Sequence, residues 1–206
     1  MYAKIKINRI LGENNMKIDV TKHLTMGAKR TLKAFRVAMF ELLREKDFDK
    51  ITVNDICQKG EYPRATFYNY FDDKLDLLKY LWSYIAKDIL SQLPDDKQND
   101  ANLIKIFNLL VQFFHENTAL LANIKQSNGA DSHLWHNLAG YLKHEANRIV
   151  YQNCSIDSKP SIPAKLLSRF YSDLIIGMLE WCLFEEPNIQ LKIADEYLLK
   201  LLHNDL

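Results

Sequence analysis

Cysteine is scarce in this 206-residue chain, and the three present, Cys57, Cys154 and Cys182, are odd in number and far apart. That excludes a disulfide framework and a Cys-x-x-Cys metal or redox motif, and it suits a reducing, cytoplasmic setting. Glycine and proline are equally sparse, at six and five residues. With so few interruptions, and with apolar residues recurring three and four positions apart, the expected fold class is all-α. No apolar run approaches the roughly 18 residues needed to span a bilayer, and residues 1–15 lack a signal-peptide core, so no membrane partner is expected. Neither a glycine-rich phosphate loop, nor a nucleophile elbow, nor an acid–base pair stands out, so no enzymatic activity, catalytic residue or cofactor is expected.

What the chain does have is a core-forming composition, 48% hydrophobic and 26% charged, which excludes a disordered polymer. Its net charge of +1 hides a division. Through Lys74 there are 15 Lys and Arg against 10 Asp and Glu, whereas the remaining 132 residues carry 12 against 16. A basic head on an acidic body suits a protein that presents one end to a polyanion.

Residues 1–24 are polar and mildly basic without sustained periodicity and read as a flexible arm. From about Met26 to Lys46, Leu32, Phe35, Met39, Phe40, Leu42 and Leu43 form one apolar stripe and predict an amphipathic helix. Thr52-Val53-Asn54-Asp55 resembles a capping box and opens a short helix that Gly60-Glu61-Tyr62 ends. Pro63 can begin the next helix, because the N–H it lacks would be unpaired there; that helix runs to about Tyr70. Asp72-Asp73 then precedes a longer helix from Lys74 to about Leu93. After a break at Pro94–Asn99, helices are predicted at about 101–116, 118–126, 132–153, 163–185 and 189–203. The domain boundaries follow: an arm at 1–24, a head at 25–72 and a helical body at 73–206.

Two short helices joined by a tight turn and buttressed by longer ones describe a helix-turn-helix. Its second helix holds the groups that groove reading needs: Arg64 for guanine edges, Asn69 for adenine, and Thr66, Tyr68 and Tyr70 for phosphates or thymine methyls. The small Ala65 lets the backbone approach. Phe67 and Phe71 share the opposite face and anchor the helix on the core, while Tyr68 and Tyr70 are also compatible with half-buried packing. Thr52 and Lys74 are placed to clamp phosphates from either end. The partner expected is double-stranded operator DNA, bound by a homodimer, since one reading helix buries too little surface for high specificity.

The run Phe48-x-x-Ile51-Thr52-Val53-x-Asp55-Ile56, followed by Arg64-Ala65-Thr66-Phe67-Tyr68-Asn69-Tyr70-Phe71-x-x-Lys74-x-x-Leu77-Leu78, resembles the N-terminal domain of the tetracycline-repressor (TetR) family over about residues 28–80. The resemblance implies a repressor released from a palindromic operator when an effector bound in the body tilts the helix that starts near Lys74. This chain departs from the family pattern in having Asp47 and Glu61 where glycines are usual, with Gly60 one place earlier, which allows a turn shifted by one residue. Pro63 also stands where a small polar cap is customary.

In the body, Leu167, Tyr171, Leu174, Ile175 and Met178 line one face of the penultimate helix, and Leu198 and Leu201 one face of the last. The resemblance implies a four-helix dimer interface from these two helices; the periodicity alone fits an intrachain core equally. Trp82, Phe107, Phe114, Trp135, Tyr141 and Trp181 supply enough aromatic surface to line a pocket for a small hydrophobic or aromatic effector, or to fill a core. A body that binds a protein partner, in an activator or co-regulator, is the alternative. His133, His136, His144 and Glu145 lie on one predicted helix but read as a solvated face, so no metal site is expected.

Overall fold

The computed structural model describes residues 17–18, 24–93, 99–154 and 162–203. Most of the predicted arm, most of the predicted break at Pro94–Asn99 and residues 155–161 lie outside the described residues. The described residues are helical, without strand, and the chain divides into two compact units, one ending at Asp88 and the other beginning at Ile89.

The first unit opens with α1 (Met26–Glu45), whose N-cap Thr25 accepts a hydrogen bond from the Ala28 N–H at 3.2 Å. Leu32, Phe35, Ala38, Met39, Leu42 and Leu43 bury one face of α1, the stripe expected from the sequence except that Ala38 joins it and Phe40 is half-buried. A 3-10 turn at Phe48–Lys50 follows, in which the Asp47 carboxylate accepts from the Asp49 N–H at 2.9 Å. Asp47 has φ −50°, so no glycine is required there. Next come α2 (Val53–Lys59), α3 (Arg64–Tyr70) and α4 (Lys74–Leu90). Pro63 is the N-cap residue of α3 rather than its first helical residue, with ψ 151° and no side-chain cap.

The α2–α3 turn shows what the two unusual residues do. Gly60 has φ −82°, an ordinary helical value, whereas Glu61 has φ +59°. The left-handed position therefore falls on Glu61, and the turn is not displaced onto Gly60. Gly60 is needed for space: a Cβ there would lie 3.0 Å from the Ile56 carbonyl oxygen and 3.4 Å from the Phe35 ring.

The second unit contains α5 (Asn99–Glu116), α6 (Thr118–Gln126), α7 (His133–Cys154), α8 (Ala164–Glu180) and α9 (Leu191–His203). α8 runs into a π-helical turn at Trp181–Glu185. The α7 and α8 helices pack along each other more extensively than any other pair, and α9 packs on α5 and α8. The core is aromatic at its centre. The Trp135 ring lies 5.7 Å from Phe114 and 4.8 Å, edge to face, from Phe184, and its indole N–H donates to Glu180 Oε1 at 2.7 Å.

Candidate nucleic-acid interface

The second helix of the helix-turn-helix is held from behind by an aromatic cluster. Phe67 and Phe71 are fully buried, and both meet the Phe35 ring of α1 edge to face, at 5.4 and 6.2 Å. Tyr62 closes the cluster at 5.5 Å from Phe35. Fixing Phe67 and Phe71 inward leaves Arg64, Ala65, Tyr68 and Asn69 exposed on the other face, with Thr66 and Tyr70 half-buried at its edges. Arg64 Nη2 donates to the Tyr68 hydroxyl at 3.3 Å, which pre-orients a guanidinium one turn below a phenol. The exposed face thus carries a planar cationic fork, an amide and a phenol, chemistry that matches base edges and phosphates.

The preceding helix is fixed by its cap. The Thr52 hydroxyl accepts from the Asp55 N–H at 3.1 Å and donates to Asp55 Oδ2 at 2.7 Å, while the Thr52 N–H donates to the same oxygen at 2.8 Å. Lys46 Nζ approaches Asp55 Oδ2 at 2.9 Å. The Lys46 ammonium, and then the Thr52 bonds, hold the Asp55 carboxyl down at about 2. Thr52 itself is exposed at the start of α2.

Lys74 has an internal role that the sequence did not suggest. Its Nζ donates to the carbonyls of Phe48, Asp49 and Ile51 at 2.9, 3.1 and 2.9 Å and lies 4.6 Å from the Phe48 ring centroid. All three ammonium protons are thereby engaged with the connection between α1 and α2, which Lys74 clamps. Another contact missed from the sequence places the Arg36 guanidinium 3.2 Å from the centroid of the Tyr84 ring, joining α1 to α4. Residues 48 positions apart leave no local sequence signal of such a pairing.

The six aromatics expected at an effector pocket are dispersed. Trp82 belongs to the first unit and is buried, with no hydrogen-bond partner for its indole N–H among the described residues. Phe107, Phe114 and Trp135 are fully buried in the second unit, Tyr141 is buried and Trp181 is half-buried, 6.0 Å from Tyr197. A cleft of about 390 Å³ runs between α7 and α8, lined by Trp135, His136, Lys143, Asp173, Gly177 and Glu180 among others. Among the described residues no group of three or more His, Cys, Asp or Glu is placed to hold a metal ion.

Of the residues expected at a dimer face, Ile175, Met178 and Leu198 are buried within the unit itself, and Leu167, Tyr171 and Leu174 are half-buried. Leu201 is exposed. Exposed apolar side chains on these two helices include Leu166 at 59% and Phe170 at 54%, one turn apart on α8, and Tyr197 and Leu201 on α9. Met178, Trp181, Tyr197, Lys200 and Leu201 line a surface groove of about 260 Å³.

Two short helices, a left-handed turn and an outward polar face on the second helix define a helix-turn-helix protein. Residues 37–81 match the model of the bacterial regulatory proteins of the tetR family. The chain is 30% identical over 87 residues to the dhaKLM operon transcriptional activator DhaS of Lactococcus lactis, an overlap covering 42% of this chain and 44% of that one. It is also 33% identical over 73 residues to the HTH-type transcriptional regulator YxbF of Bacillus subtilis, covering 35% and 19%. The matches thus span less than half the length of either relative. Over the whole fold, a TetR-family transcriptional regulator from Syntrophomonas wolfei superposes with a TM-score of 0.61 at 21% identity, covering 84% of this chain and 93% of that one. A TetR transcriptional regulator from Streptococcus agalactiae gives 0.57 at 22%, covering 97% and 98%. Residues 37–81 thus resemble the DNA-binding head of the tetR family, and the described residues have the all-α fold of TetR-family regulators of known structure, the fold class expected from the sequence. No helix among the described residues is long and apolar enough to cross a membrane.

Proposed function

We propose that the protein is a sequence-specific DNA-binding transcriptional regulator that reads a palindromic operator as a homodimer. The observation that carries this reading is the outward face of α3, where Arg64, Tyr68 and Asn69 stand exposed on a helix locked from behind by Phe35, Phe67 and Phe71. Arg64 and Asn69 read base edges, Thr66, Tyr68 and Tyr70 contact the backbone or thymine methyls, and Ala65 keeps the helix close to the groove floor. Thr52 adds a phosphate contact at the start of α2.

The dimer is formed by a second copy that covers exposed apolar side chains of α8 and α9, Leu166, Phe170, Tyr197 and Leu201. Exposed apolar surface on the last two helices is the kind that an isologous dimer covers. The cleft between α7 and α8 has a volume in the range of small-molecule sites, which supports an effector bound in the body. In this reading the effector releases a repressor from its operator. That DhaS is a transcriptional activator favours a second reading, in which the DNA-bound protein activates.

Selection of operators from random duplex DNA, with wild type and with Arg64→Ala, tests the proposal. Wild type should enrich a palindrome, and Arg64→Ala should relax one base position in each half-site at a cost of roughly 1–3 kcal/mol. A wild type that enriches nothing at moderate salt removes the DNA-binding reading; an unchanged preference in Arg64→Ala removes Arg64 from the readers.

A further inference from the structure

Resting on the DNA-binding reading, we infer that Lys17 is a positioning residue for operator recognition: it ties the chain ahead of α1 to the end of the reading helix. Lys17 lies nine residues before Met26, yet it is bonded to residues between Tyr68 and Asp76. Its Nζ donates to the Tyr68 carbonyl at 2.7 Å and pairs with Asp72 Oδ1 at 3.1 Å. Its backbone N–H donates to Asp76 Oδ2 at 3.3 Å.

These bonds sit where α3 has to stop. A helix leaves its last carbonyls without intrahelical donors, and the donor due to the Tyr68 carbonyl would be the Asp72 N–H four residues on. That N–H is taken instead by Asp76 Oδ2 at 3.1 Å, while the Asp76 N–H donates to Asp73 Oδ1 at 2.8 Å. Asp76 is 6% exposed, so it serves as a buried anchor for both the turn and Lys17. Lys17 then supplies to the Tyr68 carbonyl the donor that Asp76 has diverted. A cation at this end of the helix also complements the negative end of its dipole.

The carbonyl that Lys17 grips belongs to Tyr68, whose hydroxyl accepts from Arg64. Lys17 thus acts on the readers through the backbone, at the C-terminal end of α3. With its ammonium occupied by a carbonyl and a carboxylate, it sets the pose of α3 rather than neutralising a phosphate.

Lys17→Met and Lys17→Arg in the full chain test this, through operator affinity as a function of salt and through amide exchange of the free protein. Lys17→Met should weaken the selected operator roughly ten- to a hundred-fold, the scale of a charge-assisted hydrogen bond. It should leave the slope of log affinity against log salt unchanged and affect random-sequence DNA little. Amide exchange at Asn69–Asp72 should rise, and Lys17→Arg should restore both readouts. Equal weakening on all DNA with a slope reduced by about 0.9 would make Lys17 a phosphate contact and overturn the inference. Unchanged operator affinity, or unchanged exchange at Asn69–Asp72, overturns it as well. If Lys17→Met lost its helical circular dichroism, Asp72→Asn, which spares the carbonyl bond but removes the ion pair, should show a smaller effect in the same direction, and no effect would count against the proposal. A wild type with no operator preference defeats the DNA-binding reading along with it, whereas wild-type preference with an indifferent Lys17→Met defeats the inference alone.

Discussion

At the scale of single residues, two side chains in the helix-turn-helix carry unusual demands. Glu61 adopts φ +59°, a conformation costing a non-glycine residue about 1–2 kcal/mol. Its side chain is exposed. Glu61→Gly should therefore raise unfolding stability by about 1 kcal/mol, read as a higher urea midpoint at unchanged slope. An unchanged or lower midpoint would mean that the entropy glycine adds to the unfolded chain outweighs the relief of strain. Lys74 presents the opposite case. Met in its place would leave the Phe48, Asp49 and Ile51 carbonyls short of their donor and should cost about 2 kcal/mol of stability. The same variant should leave the salt dependence of DNA binding intact when assayed well below its unfolding midpoint. A slope reduced by about 0.9 would show instead that the ammonium leaves the clamp to meet a phosphate.

At the scale of elements, α2 depends on its capping box, and the box depends on a carboxylate. Because Asp55 titrates at about 2 in the folded chain against an ordinary 3.8, the folded state binds its proton less tightly than the unfolded state. The stabilisation is therefore complete above pH 4 and disappears as pH falls through about 2. Asp55→Asn should flatten that part of the acid limb of a stability–pH profile and lower stability at neutral pH, where a box of this kind contributes about 1 kcal/mol. A profile with the same acid slope in both proteins would assign the acid limb to other carboxylates. Much at this scale was legible in the sequence, because caps and apolar periodicity are local. The Thr52–Asp55 box, the α1 stripe and the inward pair Phe67 and Phe71 all lie within a few residues of their causes. The partners of Lys74 and Lys17 were not legible, since they lie 23 to 59 residues away and lysine carries no pattern that names its acceptor. Nor was the change to a π-helical turn at Trp181–Glu185, which the apolar pattern carries through as continuous helix.

At the scale of the whole molecule, the proposed homodimer needs an apolar surface for another copy to cover. Periodicity identifies an apolar face but not its neighbour, which is why Ile175, Met178 and Leu198 suited a dimer face and a core equally until their burial within one chain was known. Leu166, Phe170, Tyr197 and Leu201 are among the apolar residues that remain exposed and have less intrachain burial to lose. Charging them should thus separate assembly from folding. Leu166→Glu with Phe170→Glu should shift the protein from dimer to monomer in sedimentation at micromolar concentration, with the urea midpoint of the first unit unchanged. Two reading helices on one operator act as linked sites, so losing the dimer should cost about 10²-fold or more on a two-half-site operator and little on a single half-site. Equal loss on both DNAs would point to a damaged head rather than a broken dimer, and a variant that remains dimeric would move the interface to another face of the chain.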